Sequence, residues 1–169
     1  MPQRPTTGNA GPQEGSAGAS GPVENARAAP RLVVSRESDE IAERAARREV
    51  QRHLEVRGAV PLAIREMLEE CWTHALARAR QRDGSGSASW FNLLKVMDDL
   101  LWSVAPKVSA DDRKRLMGLL PALIADVQEG MIQGQWSSDR RDGFLAVLVD
   151  CHAAAVKAGL RRTIRLEEV

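Results

Sequence analysis

The chain has 169 residues, 43% of them apolar, and a net charge of +1. These values are typical of one globular domain with length left over for a tail, and the balanced charge argues against a dedicated nucleic-acid binder. Aromatic residues make up only 4%, and alanine, leucine, arginine and glutamate dominate, which favours helices over a β-sandwich or barrel.

The sequence favours the cytoplasm. No segment is expected to have the length and apolarity of a transmembrane helix, so we expect no membrane partner. The N-terminus lacks the apolar core of a signal peptide. The two cysteines, Cys71 and Cys151, are too few for a disulfide framework.

Residues 1–37 are rich in Gly, Pro, Ser and Ala, with almost no large apolar side chain before Leu32. Such a segment cannot bury enough surface to offset the entropy of ordering it. We predict a disordered tail over residues 1–37. It serves as a spacer or, alternatively, carries a docking motif at Leu32–Val34.

A helical domain is predicted over residues 38–160. Its first helix begins at the capping pair Ser38-Asp39 and ends near Gly58. The side chains predicted to face inward recur at helical spacing: Ile41, Ala45, Val50 and Leu54. Pro61 opens a second helix, which ends at the Gly84-Ser85-Gly86 loop and buries Ile64, Met67, Leu68, Cys71, Trp72, Ala75, Leu76 and Ala79.

Serine caps predict the next two helices. Ser87 or Ser89 begins the third helix, which ends before Pro106, because the residue before a proline avoids the helical region. Ser109 begins the fourth helix. Within it Pro121 predicts a kink, and the end is weakened by two glycines, Gly130 and Gly134.

The fifth helix begins after Trp136 and ends at Gly159, so residues 161–169 are predicted to be a charged C-terminal tail. Its inward side chains are predicted to be Phe144, Leu145, Leu148, Val149, His152 and Val156. Short connections make successive helices antiparallel neighbours. The predicted fold class is therefore all-α, a five-helix antiparallel bundle.

A corner at the end of the third helix is the most suggestive segment. There an indole, a hydroxyl, a proline and a lysine follow one another closely: Trp102, Ser103, Pro106 and Lys107. Lys107 suits the negative end of the helix dipole, and the indole of Trp102 needs an acceptor for its N–H. The corner is either structural or a surface that binds a partner.

No catalytic residue, cofactor-binding residue or metal ligand is predicted. Cys71 and His74 share a helix face, and Cys151 and His152 lie on another helix, but adjacent helical residues point about 100° apart and cannot easily chelate one ion. The carboxylate pair Asp98-Asp99 could instead bond to a neighbouring helix. Gly84-Ser85-Gly86 lacks the lysine and the preceding strand of a phosphate loop, and no cofactor is expected.

The run from Asp98 to Lys107, with sequence DDLLWSVAPK, resembles the central signature of the bacterial domain-of-unknown-function family 1631. The surrounding motifs agree in order, and the resemblance covers about residues 47–160. They are Val60-Pro61, Leu68 to Trp72, Gly84 to Trp90, Asp112 to Leu123, and then Gly130, Trp136, Phe144 and His152. Members are typically much longer, and this block is one section of them.

The resemblance implies no established activity. Some members are labelled thymidine phosphorylase, a label rejected here. Such an enzyme needs a phosphate site and a nucleoside cleft, usually on a large α/β scaffold, whereas this chain is short and predicted to be helical.

A non-enzymatic protein-interaction or regulatory module is the leading interpretation, with an unknown protein partner or a second copy of the chain. A nucleic-acid-binding protein is one alternative. Its candidate contacts are Arg44, Arg48, Arg52, Arg80, Arg82, Arg113 and Arg115, although a solvated helix face is the favoured explanation for the first three. A ligand-binding protein or enzyme is the other, with a pocket near Trp72, His74, Trp102 and His152.

Overall fold

A computed structural model describes the backbone of residues 23–167 and the side chains of residues 33–165. Within that range five helices follow one another and no strand forms, so the predicted all-α class is confirmed. The helices span Val23–Arg57, then Leu62–Met67, Leu68–Trp72 and Thr73–Asp83 as one unbroken second helix, then Ala88–Val104, Ala110–Gln133 and Ser138–Glu167.

The first helix begins earlier than predicted. It starts at Val23 rather than at Ser38-Asp39, so residues 23–37 of the predicted disordered tail are helical. Residues 1–22 of that tail lie outside the described residues. A compact unit spans Ser35–Val169, and the motif predicted at Leu32–Val34 lies outside it.

The predicted inner helix boundaries are confirmed. Ser87 Oγ accepts a hydrogen bond from the Trp90 amide at 3.3 Å, and Ser109 Oγ accepts one from the Asp112 amide at 2.9 Å. The carbonyl of Pro61 accepts two bonds from the first turn of the second helix, from the amides of Ile64 and Arg65. Each cap satisfies amides that the helix itself leaves without partners.

Only the first half of the buried line of the first helix is one residue out of the predicted register, since Val50 and Leu54 are buried as predicted. Ile41 is 54% exposed, and Ala45 is only half-buried. The buried line runs instead through Ala42, Ala46, Val50 and Leu54. At about 100° per residue, Ile41 and Ala45 lie just round the helix from that line. The end of the helix is tied to the third helix by Arg57 Nη2, 3.2 Å from Asp98 Oδ1, as the carboxylate pair suggested.

The second helix widens into a π-helical turn over Leu68–Trp72. There Thr73 Oγ1 donates to the carbonyl of Leu68 at 3.1 Å. Trp72 is fully buried, and its indole Nε1–H donates to the carbonyl of Leu93 on the third helix at 3.1 Å. The extra residue of a π turn changes the direction of the following side chains, and here it accompanies the entry of the indole into the core.

The glycines predicted to weaken the fourth helix have a different role. The helix continues through Gly130 to Gln133. A Cβ at Gly130 would overlap the ring of Trp72, and a Cβ at Gly134 would overlap Cys71. The two glycines therefore allow the fourth helix to lie directly against the π turn. Pro121 also lies within this continuous helix, and the kink predicted there stays a prediction.

The predicted stop of the fifth helix at Gly159 is wrong. The helix continues to Glu167 through most of the predicted charged tail, residues 161–169. Gly159 is buried, and a Cβ on it would overlap the backbone of Lys107. This glycine is required by close packing against the corner, not by a helix end.

Gly130→Ala is expected to lower the free energy of unfolding by ~1–3 kcal/mol, because the added methyl overlaps the Trp72 ring in a closely packed core. Gly118→Ala is the matched control in the same helix, since nothing lies within 4 Å of its added Cβ. It should raise the free energy by ~0.5–1 kcal/mol through helix propensity. Urea unfolding followed by circular dichroism measures both; equal effects of the two variants would refute the packing role of Gly130.

Candidate functional site

Lys107 lies inside the protein, at 1% exposure. Its Nζ donates to the carbonyl of Trp102 at 2.5 Å and also to that of Ala105. These carbonyls belong to the end of the third helix, where no further helical turn supplies amides; the Trp102 carbonyl has one other bond, from the Ala105 amide at 3.2 Å. Lys107 therefore caps this helix with its own side chain, as the dipole argument predicted.

The backbone around Lys107 is bound to the fifth helix and to the start of the fourth. The Lys107 amide donates to the carbonyl of Ala155 at 3.1 Å, and Thr163 Oγ1 donates to the carbonyl of Val108 at 3.0 Å. Arg113 Nη1 donates to the carbonyls of both Lys107 and Val108, at 3.1 and 3.0 Å. The corner is thus held in place by three helices.

Two cations contact the ring of Trp102. Lys107 Nζ and Arg115 Cζ each lie 4.3 Å from its centroid, within the range of cation–π attraction. Burial lowers the pKa of Lys107 below its ordinary value, the carboxylate of Asp112 opposes that effect, and the nearby Arg115 adds to it. The indole face and the capped carbonyls compensate the buried ammonium for the water it has lost.

Ser103 and His152 form a buried pair that the sequence analysis placed in two different sites. His152 Nε2 lies 2.9 Å from Ser103 Oγ, and Ser103 Oγ donates its hydrogen to the carbonyl of Leu100 at 2.7 Å. The imidazole must then carry its hydrogen on Nε2 and donate it to the hydroxyl. Burial, and then the charge of Lys107, lower the pKa of His152, so the ring is neutral at pH 7.

The predicted interaction corner is largely internal. Ser103 and Lys107 are buried, Trp102 is half-buried and Pro106 is exposed. A partner could touch the corner only at Trp102 and Pro106, and its role as a binding surface stays a prediction.

Two of the four residues of the predicted pocket, Trp72 and His152, lie in the core. Trp72 is fully buried and His152 is 8% exposed. An open groove of about 1110 Å³ lies elsewhere and includes His74 but neither Trp72 nor Trp102. It is lined by Asp39, Glu40, Glu43, Arg44, Arg47, His74, Arg78, Gln81, Arg82 and Gln135.

Several groups in this groove pair with one another. Glu43 Oε1 lies 3.2 Å from Arg47 Nη2, and His74 Nε2 lies 3.1 Å from Gln135 Oε1. Three carboxylates and four guanidinium groups line its walls. The groove therefore presents mixed charge rather than a field of one sign that would attract a nucleic-acid backbone.

The predicted arginine contacts do not form one surface of free cations. Arg44 and Arg52 pair with Glu40 and Glu49 on their own helix, and Arg48 is exposed there. Arg113 is bound to the corner carbonyls and Arg115 to the Trp102 ring. The first three residues form the solvated helix face that the sequence analysis favoured.

The thiols are not arranged for chemistry. Cys71 is buried and its Sγ donates to the carbonyl of Met131 at 3.6 Å. Burial raises the pKa of Cys71 to about 11, which keeps it protonated at pH 7. In the described part of the chain no three His, Cys, Asp or Glu side chains come together as metal ligands would.

The fifth helix has a second apolar face that the sequence analysis missed. Its buried face is formed by Phe144, Leu148, His152, Ala155 and Gly159. Val149, predicted to face inward, is 61% exposed, and Leu160 and Ile164 are 43% and 56% exposed. Together with neighbouring small residues they form what we name the apolar stripe, which consists of Ala146, Val149, Ala153, Val156, Leu160 and Ile164.

The spacing of the apolar stripe keeps it on one side of the helix. Its members follow at intervals of three and four residues, which at about 100° per residue confines them to an arc of roughly 80°. This arc is centred roughly 120° from the buried face. All members are exposed except Val156, which is half-buried.

The two apolar faces together give this helix the length and hydropathy of a membrane span, contrary to the expectation from the sequence. An 18-residue window within Ser138–Arg165 reaches a mean hydropathy of 1.5, and only 28% of it is buried in the protein. Less than a third of this apolar window is therefore packed in the core.

Gly159→Ala should release the corner, because the new methyl overlaps the Lys107 backbone. Amide hydrogen exchange at Lys107, whose N–H is bonded to Ala155, should become faster. Gly143→Ala on the same helix meets nothing within 4 Å and should leave that exchange rate unchanged. NMR measures the exchange rate of the Lys107 amide in both variants. An unchanged rate in Gly159→Ala would contradict the inference that Gly159 is required for close packing against Lys107.

Stability should fall as the pH drops below about 6.5, since the unfolded chain then binds a proton at His152 that the folded chain does not. Above the ordinary pKa of 6.5 His152 is neutral in both states, and the protein keeps its full stability. That stability is lost as the pH falls from 6.5 towards the lowered pKa of His152 in the folded protein. His152→Gln keeps a side-chain N–H donor but cannot titrate, so its free energy of unfolding should fall less over the same range. Urea unfolding at several pH values tests this; parallel pH curves for the two proteins would exclude His152 as the cause.

Comparison with known protein families matches residues 34–149 to one described as "Protein of unknown function (DUF1631) third domain". Comparison with curated proteins and with solved structures gives no match. The family match covers more than half of the chain, including the corner and the paired Ser103, and agrees with the resemblance carried by the Asp98–Lys107 run. This protein therefore belongs to the DUF1631 family, with residues 34–149 corresponding to its third domain.

Proposed function

We propose that this protein is a protein-interaction module of the bacterial cytoplasm, and that it binds its partner through the apolar stripe. The observation that carries the proposal is the exposure of Val149, Leu160 and Ile164 on a helix that already buries a different face. A contiguous apolar surface of this kind is typical of interaction sites, whereas single exposed apolar residues are ordinary.

Burial of the stripe against a partner favours binding. Burying one Val, Leu or Ile side chain contributes roughly 1.5–3 kcal/mol. The stripe offers three such side chains that are largely exposed and one, Val156, that is half-buried. The alanines between them let a partner helix approach closely.

The helix that carries the stripe is rigidly held where the corner meets it. Lys107 packs on Gly159, and Thr163 bonds to the Val108 carbonyl. These positions directly precede Leu160 and Ile164 of the stripe. The corner thus supports the binding surface, and a surface that is ordered before binding loses less entropy on association.

The buried pair of Ser103 and His152 is not arranged for nucleophilic catalysis. Ser103 and His152 have the composition of a nucleophile and its base, but both are buried and the serine hydrogen is already donated to Leu100. A nucleophile must reach a substrate and pass its proton to the base, and this pair is arranged to do neither.

The proposal is tested by affinity capture with the tagged full chain from its own host, with nuclease treatment, using Ala153→Glu and Ala154→Glu as baits beside the wild type. Both alanines are exposed neighbours, but only Ala153 lies in the stripe. A protein, either another species or an untagged second copy, should be recovered by the wild type and by Ala154→Glu and lost with Ala153→Glu.

Capture that is equal for all three baits would exclude the apolar stripe as the binding surface. Recovery of nucleic acid alone, or only of proteins lost on nuclease treatment, would instead favour the arginine alternative, with Arg48 as an exposed candidate.

A further inference from the structure

We infer that the partner of the apolar stripe is a second copy of this chain, bound antiparallel with the two-fold axis beside Ala153. This inference rests on the proposed function, since it names the partner for the same surface. The charges along the stripe are complementary to those of a second copy whose helix runs in the opposite direction.

The charges that flank the stripe are separated by sign along the helix. Asp142 and Asp150 lie beside its first half, and Lys157 and Arg161 lie beside its second half. All four are exposed, and within the described residues none of them forms an ion pair in its own chain. At about 100° per residue each lies within or next to the arc of the stripe.

The other basic residues of the first half are already engaged. Arg140 Nη2 lies 2.7 Å from Glu70 Oε2 and its guanidinium stacks on Trp136. Arg141 Nη1 donates to the Trp136 carbonyl at 2.7 Å. The first half of the stripe therefore presents carboxylates to a partner, although arginines lie close by in the sequence.

Reversing a second copy about Ala153 brings these charges together. Asp150 then lies opposite Val156 and one residue from Lys157 of the second copy, within reach of its ammonium, and the same pair repeats on the other side of the axis. Ala146 faces Leu160 of the second copy, so a small side chain meets a large one. A parallel pair would instead bring the two acidic halves to one level and the two basic halves to another, which is unfavourable.

The axis itself falls on a small residue. Ala153 has only a methyl group, so two helices can cross there at close range while Val149, Val156 and Leu160 interdigitate on either side. A two-fold interface uses the same patch on both subunits, and the stripe satisfies that requirement. It is about 27 Å long at 1.5 Å per residue, a short contact for which we expect a reversible dimer.

The test is sedimentation equilibrium of the full chain over a wide concentration range. The wild type should associate to twice the 18.5 kDa of one chain. Ala153→Glu places two carboxylates opposite each other at the axis and should weaken association at least about tenfold. Ala154→Glu adds the same charge to the next position, outside the stripe, and should associate like the wild type.

Charge exchange tests the antiparallel register. Asp150→Lys alone and Lys157→Asp alone should each weaken association, because each sets like charges opposite one another. The double variant should restore it, since every pair again has opposite signs. Circular dichroism confirms that each variant keeps its helices. A double variant no stronger than either single one would overturn the antiparallel arrangement.

The remaining outcomes overturn the inference in distinguishable ways. A wild type that stays monomeric at every concentration rules out the second copy. If the wild-type bait captures a different protein that the Ala153→Glu bait does not capture, the proposed function stands and only the identity of the partner is wrong. If the monomer instead sediments with vesicles of phosphatidylcholine and phosphatidylglycerol, and Ala153→Glu does not, the stripe binds a lipid surface. If no measurement depends on Ala153, both proposals fail.

Discussion

The ring of Trp72 lies directly on the backbone of Gly130, and the arrangement of the inner helices depends on this contact. Because glycine has no Cβ, the fourth helix can approach the π turn of the second helix closely. The indole N–H then reaches the carbonyl of Leu93 on the third helix. One side chain thus connects three helices through packing on one side and a hydrogen bond on the other.

The corner also depends on a glycine that allows close packing, but here the packed residue is charged. Gly159 admits the backbone of Lys107, whose ammonium then turns back to the carbonyls at the end of the third helix. Burial, and then the charge of Lys107, lower the pKa of His152, so the imidazole remains neutral and donates to Ser103. The residues most suggestive of chemistry are therefore explained by the requirements of helix capping and packing.

Much of the fold is predictable from local sequence, since caps and periodicity are local properties. Ser87 and Ser109 begin their helices as expected because the cap hydrogen bond spans only three residues. Gly159 could not be assigned in this way. A glycine near the end of an apolar pattern indicates either a helix end or a close approach, and only the neighbour, Lys107 in this case, distinguishes the two.

The candidate sites depend on pairings that are remote in sequence. Ser103 and His152 are 49 residues apart, so neither position by itself predicts the bond between them. The apolar stripe was detectable in principle. Val149, Leu160 and Ile164 repeat at helical spacing, but on an arc separate from that of Phe144 and Leu148. The sequence analysis predicts one apolar face for this helix, whereas the helix has a buried apolar face and an exposed one.

The two arcs also explain the high hydropathy of the fifth helix. Hydropathy averaged along the sequence adds the buried face to the stripe, although the fold separates them by roughly a third of a turn. A spanning arrangement would have to withdraw Phe144 and Leu148 from the core, break the bond from His152 to Ser103 and separate Gly159 from the corner. Docking of the stripe alone leaves each of these contacts in place. It covers the remaining apolar surface at no cost to the fold, and this is the physical reason to expect a partner at the stripe while the helix stays in its bundle.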